Sequence, residues 1–278
     1  MFDRLIQDLR FALRQLIRHP GVSALLVLTV AVAIGANVAI FSVLEGIVLR
    51  PLPYAEADRL LAVWETPESG RWYQPFTAPD YFDVREESHT LEEFGVAHLR
   101  WMNLSGAAGE PVRLRAGAAT ASLFQLLGVQ PSQGRLFTED EEVEGSHRVA
   151  ILSHGLWQAR FAGEPGVVGR DVTLDGEPFE VIGIMPPSFR FPTPWGGRDG
   201  SRLWTPIVLS RDDQGRGSHW LGAFGRMAEG ITPDEVEAEL NVIAERLALS
   251  YPNTNAQTRM WVQPMMERTL GGISSALV

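Results

Sequence analysis

Apolar and polar positions divide this chain into two regimes. From Gly21 to Leu44, twenty-four consecutive residues carry no charge. At about 1.5 Å of rise per residue a helix of that length reaches roughly 36 Å, enough for a hydrocarbon core of about 30 Å. The pattern predicts a transmembrane helix over 21–46. Ahead of it, Phe2, Leu5, Ile6, Leu9, Leu13, Leu16 and Ile17 recur at spacings of three and four, with Arg4, Asp8, Arg14 and Arg18 largely between them. That periodicity predicts an amphipathic helix within 1–20, lying on the membrane surface or packed against other membrane helices. His19-Pro20-Gly21 breaks it before the span begins.

Beyond Pro51-Leu52-Pro53-Tyr54 the pattern shortens to alternating strands and helices. Strands are predicted from Arg59 to Trp64, Phe94 to Leu104, Pro111 to Ala116, His147 to Leu152, Leu203 to Pro206, His219 to Met227 and Met260 to Val262. Asp171–Leu174 and Glu177–Ile184 flank Asp175-Gly176, the strongest hairpin signal in the chain. Helices are predicted after Thr77, over Thr120–Leu127, over Ser153–Phe161, and from Thr232-Pro233-Asp234-Glu235, whose hydroxyl, proline and glutamate form a full helix start. Val236, Leu240, Ile243 and Leu247 give that last helix one buried stripe. Pro, Gly and aromatic residues from 186 to 202 predict an irregular stretch, read as a hinge between two lobes. The expected class is α+β: one transmembrane helix, then a two-lobed extracytoplasmic domain over 51–270 with mixed or antiparallel sheets.

Charge orients this arrangement. Residues 1–20 carry a net +2 and the rest of the chain −12. Positive charge beside a span stays in the cytoplasm, so the acidic bulk is expected outside. An acidic domain lacks the clustered cations that nucleic acid requires, which excludes that class of partner. There is no cysteine, so disulfides and thiolate chemistry are excluded, and every one of the 24 basic residues is arginine. Without lysine there is no Walker A phosphate loop, so any ATP that drives this protein is bound by another chain.

Within the span, Gly35, Ala39, Ser42 and Gly46 recur at four, three and four residues and share one helix face. Small residues there allow a second helix to approach closely, since lipid supplies no hydrophobic drive for association. These four form the candidate helix-packing site, and Asn37 adds a polar group suited to a protein neighbour. Ala31-Val32-Ala33 matches a signal-cleavage pattern, but the apolar run continues to Leu44.

Candidate chemistry elsewhere is weak. His147 and His154 lack a Glu at metalloprotease spacing, and Ser153-His154-Gly155 follows Ile151 where a nucleophile elbow has glycine, so Ser153 reads as a helix cap. Glu139 to Glu142 reads as a solvated loop rather than a calcium site. Gly163, Gly166 and Gly169 read as a turn. Most of the eight tryptophans are expected in the core, with a minority lining an apolar groove. No catalytic, cofactor-binding or metal-ligating residue is assigned, and no cofactor is expected.

Arg10-Phe11-Ala12-Leu13-Arg14-Gln15-Leu16, Ile40-Phe41-Ser42-Val43 and Leu49-Arg50-Pro51-Leu52-Pro53-Tyr54 resemble the start of MacB-like (FtsX-like) ABC transporter permeases. Phe124 to Arg135, Val149-Ala150-Ile151-Leu152-Ser153 with Trp157, and Val181-Ile182-Gly183-Ile184-Met185-Pro186 resemble the periplasmic core domain of that family. The resemblance implies a non-catalytic permease subunit in the bacterial inner membrane, working with a separate ABC ATPase in a dimeric assembly and with a periplasmic partner protein. Such a permease couples ATP hydrolysis to export or mechanical work. It has four membrane helices per unit, so residues 271–278 are expected to approach a second span that this sequence does not reach, as in a fragment of a large duplicated permease. The alternative is a single-pass membrane-anchored sensor whose outer domain binds a ligand or protein. A third reading, an anchored hydrolase, lacks a nucleophile and base pair.

Overall fold

The computed structural model describes residues 7, 18–48, 53–67, 73–106, 109–192, 200–211 and 215–266. The chain divides between Arg50 and Pro51 into two compact units. The first contains helix α1, Pro20–Val48. Its stretch Pro20–Val38 is long and apolar enough to cross a membrane, and Leu25, Leu26, Val27 and Leu28 are all exposed. Exposure of four successive large apolar residues leaves no polar face for water, as expected of a helix whose solvent is lipid. Of the predicted amphipathic helix only Gln7 and Arg18 lie within the described residues.

The second unit is built on one ten-stranded sheet. Its strands are β1 (Leu60–Pro67), β2 (Leu91–Ser105), β3 (Val112–Ala119), β4 (Gln133–Gly134), β5 (Val149–Leu152), β6 (Asp171–Leu174), β7 (Glu177–Ile184), β8 (Leu203–Pro206), β9 (Gly222–Met227) and β10 (Thr258–Pro264). They run in the order β10-β1-β9-β2-β3-β8-β5-β7-β4, with β6 paired to β2 and β7. The β3–β8 and β5–β7 pairs are parallel and the others antiparallel, so the sheet is mixed and the class α+β.

Alternation along β1 shows why its burial is continuous. Leu61 and Val63 point into one apolar cluster with Tyr81, Val84, Val236, Leu240 and Leu247. Leu60, Ala62 and Trp64 point into another with Leu123, Phe124, Leu127 and Phe224. A strand covered on both faces reads as an unbroken apolar run. The first cluster is roofed by α2 (Ala78–Glu87) and α5 (Pro233–Ser250), the second by α3 (Ala121–Leu127). A third cluster lies under α4 (His154–Phe161), where Leu156 and Trp157 meet Leu152, Val181 and Ile184. A short helix α6, Pro252–Asn255, follows α5.

The local signals act where the sequence sets them. Thr77 accepts a hydrogen bond from the Asp80 N–H, Ser153 from Leu156, and Thr232 from Glu235 in a reciprocal capping box. Asp175 and Gly176 both have positive φ, 50° and 90°, the geometry of a two-residue hairpin turn whose twist matches its strands. The acid run behaves differently from its solvated-loop reading. Glu141 closes a capping box on Thr138, and the half-buried Glu142 carboxylate accepts from the Ala121 N–H at the start of α3. Burial pushes Glu142 up to about 7. Of the stretch read as a hinge, 193–199 lie outside the described residues.

Candidate functional site

The four residues of the predicted packing face all fall on α1. A Cβ placed on Gly35 would meet nothing within 4 Å, so the surface there is open. The side chains at Ala39, Ser42 and Gly46 lie outside the described residues. Asn37 donates its amide to the Ala33 carbonyl at 3.0 Å, and Thr29 its hydroxyl to Leu25 at 2.8 Å. Asn37 thus satisfies one donor within its own helix, and its polarity alone does not demand a neighbour.

The sequence does not mark where the second unit begins as a site, yet the chain is gripped there. Tyr54 donates its hydroxyl to the Arg190 carbonyl at 2.8 Å. The Ala55 N–H bonds the Leu127 carbonyl at the end of α3, at 3.2 Å. Arg226, only 7% exposed, donates to the carbonyls of Ala55 (3.0 Å) and Leu126 and to the Glu56 carboxylate (2.8 Å). Arg59 binds the same carboxylate at 2.5 Å, the Met227 carbonyl at 2.9 Å and the Glu92 carboxylate. The grip holds Glu56 at φ 46°, a left-handed conformation that costs a non-glycine residue roughly 1–2 kcal/mol. It also requires Gly128. That residue has φ 63° at the α3 C-cap, and the Ala55 Cβ lies 2.5 Å from where its own Cβ would be. One arginine near the end of β9 therefore ties the incoming chain to a helix end.

The outgoing chain leaves beside it. β1 and β10 are antiparallel, with Leu61 opposite Pro264, and Met265 is buried in the same cluster as Leu60. The start of β1 and the end of β10 therefore lie at one end of the sheet, here called the root.

Five residues along β1, roughly 17 Å from the root by strand rise, lies a second polar cluster. Glu65 is fully buried, and its Oε2 stands 2.8 Å from His219 Nδ1, which is also 3.0 Å from the Pro75 carbonyl. The Pro75 carbonyl can only accept, so His219 Nδ1 carries its proton there, beside the Glu65 carboxyl. Burial pushes the Glu65 carboxyl up to about 8, and the hydrogen bond to Glu65 raises His219. Beside them Asp80, 1% exposed, pairs with Arg216 and accepts from Asn255 Nδ2 at 3.1 Å on both oxygens. Asp83 takes Arg216 at 2.6 Å and Arg211 at 2.8 Å. The Arg216 guanidinium lies 3.7 Å above the Tyr251 ring. This network staples α2, the segment before β9 and the α5–α6 junction together. The Asp80 and Asp83 carboxylates are taken up by internal partners, which suits a structural latch rather than a reaction centre.

Nothing assembles the other sequence candidates into chemistry. Ser153 caps α4, and the His154 ring packs 5.4 Å from Trp157. Among the described residues, no three His, Asp or Glu side chains converge on a metal position. Trp64, Trp157 and Trp204 are buried, Trp220 and Trp261 half-buried, and Trp101 is 56% exposed under Arg113. Trp72 and Trp195 lie outside the described residues.

Comparison with known proteins places this architecture. The fold is similar to the periplasmic region of MacB from Actinobacillus actinomycetemcomitans, with TM-score 0.54 and 17% identity over 78% of this chain and 94% of that one. It is similar to a domain of a candidate permease from Porphyromonas gingivalis, with TM-score 0.56 and 14% identity over 76% and 91%. It is also similar to the extracellular domain of the noncanonic ABC-type transporter YknZ from Gram-positive bacteria, with TM-score 0.50 and 14% identity over 73% and 99%. No curated protein matches in sequence. The profile of the MacB-like periplasmic core domain matches residues 23–243, most of the chain. The chain belongs to that family, the periplasmic core domains of MacB-like ABC transporter permeases.

Proposed function

We propose that this chain is a permease subunit that carries mechanical work across the bacterial inner membrane, driven by ATP hydrolysis on a separate ABC ATPase. In this reading α1 spans the membrane with the N-terminus in the cytoplasm. The second unit stands outside over 51–270, and 271–278 lead toward a further span. Gly35, Ala39, Ser42 and Gly46 face a neighbouring helix in a dimeric assembly, and the outer unit meets a periplasmic partner protein. The observation that supports the coupling role is the root: the incoming chain is bonded to α3 and β9 by Arg226, and β10 leaves beside it. A displacement applied to the incoming strand passes directly into the sheet.

The absence of cysteine makes topology easy to test. Gln7→Cys and Glu110→Cys, each alone in the chain, are labelled in intact spheroplasts with a membrane-impermeant maleimide. Glu110→Cys should react and Gln7→Cys only after lysis; the opposite result rejects the orientation. Coupling is read from the Arg226→Ala variant assembled with its ATPase, where ATP hydrolysis should persist while transport falls at least ten-fold. Equal loss of both would reject a relay at the root. Gly35→Leu should leave the protein membrane-anchored and folded but reduce its recovery as a dimer; undiminished dimer would remove Gly35 from the packing face.

A further inference from the structure

Between the first turn of α4, the segment Met185–Phe191 and the start of β8 lies a cavity of about 390 Å³. That is within the range of small-molecule sites. One wall is aromatic: Phe189 and Phe191 pack against Trp204 with ring centroids 5.1 and 5.8 Å away. Trp204 is 2% exposed, and its indole N–H has no hydrogen-bond partner among the described residues. The rim is cationic. Arg190 spends one nitrogen on the carbonyls of Pro187 and Phe189, at 3.0 and 2.8 Å, and its other donors have no partner among the described residues. Arg202 has no carboxylate partner among the described residues, whereas Arg59, Arg85, Arg135, Arg148, Arg170 and Arg226 each hold one. Because the Ser153 hydroxyl serves the third N–H of α4, the His154 and Gly155 N–H groups have no intrahelical acceptor, and the space above Gly155 is open.

We propose that this cavity binds an anionic amphiphile, with a phosphate or carboxylate at Arg202 and the α4 first turn and an apolar chain along the aromatic wall. Cation, unfilled N–H groups and apolar surface converge on one space, and each matches a different part of such a molecule. In a chain of net charge −10, an arginine beside an apolar cavity with no carboxylate partner among the described residues is a local inversion of the prevailing field. The cavity is also tied to the root, since the Arg190 carbonyl accepts from Tyr54. The proposal does not rest on ATP coupling and stands or falls separately from it.

The full chain is placed in phosphatidylcholine nanodiscs with methionine methyl groups labelled in ¹³C. Met185, which lines the cavity, is assigned by difference from Met185→Leu. Octyl phosphate should shift the Met185 signal saturably. Octanol and inorganic phosphate, which each supply half of the molecule, should bind at least ten-fold more weakly. Arg202→Gln should weaken octyl phosphate at least ten-fold with the other methionine signals unchanged, and Arg202→Lys should recover part of the loss. Discs containing phosphatidylglycerol separate the sources. A Met185 signal already shifted there supports the proposal with a membrane lipid as occupant, and an unshifted signal that still responds to octyl phosphate supports it with a free amphiphile. No saturable shift, equal binding of octanol or inorganic phosphate, or an unaltered affinity in Arg202→Gln would overturn it.

Discussion

At the root, Arg226 reaches the carbonyl oxygens of Ala55 and Leu126, with Glu56 as its one carboxylate among the described residues. At the second cluster, Arg216 reaches the carboxylates of Asp80 and Asp83, next to the buried Glu65 and its neighbour His219. Both arginines join segments distant in sequence, but carbonyl oxygens do not titrate and carboxylates do. The two carbonyl contacts of Arg226 are therefore indifferent to pH, whereas the second cluster loses part of its hold as the proton on Glu65 and His219 leaves.

The largest effect that would test this contrast is Arg226→Ala. Two carbonyls lose a buried charged donor, and the cost should be about 3 kcal/mol by denaturant unfolding. Asp80→Ala follows at about 2 kcal/mol: it strands Asn255, but Arg216 keeps Asp83. If Asp80→Ala proved the costlier, the root would not be the stronger of the two joints.

The pH response comes next. Glu65 and His219 both have folded values above their unfolded ones, so the native state holds the extra proton. Their contribution is complete at pH values below the ordinary carboxylate range and is lost as pH rises through about 8. Thermal melts of the full chain should show stability falling by on the order of 1–2 kcal/mol from pH 6 to pH 9. Glu65→Gln, which cannot lose a proton, should flatten that slope. An equally steep slope in the variant would assign the proton elsewhere. The smallest effect belongs to Glu56→Gln at the root. With the carboxylate side chain 57% exposed, its loss should cost less than about 1 kcal/mol by denaturant unfolding.

Much of the fold was legible because its signals are local. Thr77, Ser153 and Thr232 each satisfy an N–H three residues on, Asp175-Gly176 adopts its turn from its own backbone preferences, and Val236, Leu240, Ile243 and Leu247 share a face by helical spacing alone. The sites were far less legible. Nothing near Arg226 in sequence distinguishes it from Arg246, which only pairs at the surface with Glu87. Its partners Ala55 and Glu56 lie about 170 residues away. Glu142 reads as one more acid in a solvated run, and only the approach of α3 turns it into a cap. Trp101 and Trp204 look alike in sequence, yet one is exposed and the other walls a cavity.

By itself, then, the sequence determined the uncharged span, the kinds of element and their punctuation, and the absence of thiol and lysine chemistry, because each depends on residues within a turn or two of one another or on composition alone. The tertiary structure decided that β9 threads between β1 and β2, that the start of β1 and the end of β10 meet at one root, and which arginine holds a carbonyl, which a carboxylate and which neither. Those outcomes follow from long-range strand pairing, where the free energy of each contact depends on every other contact already in place and no short window of residues contains it.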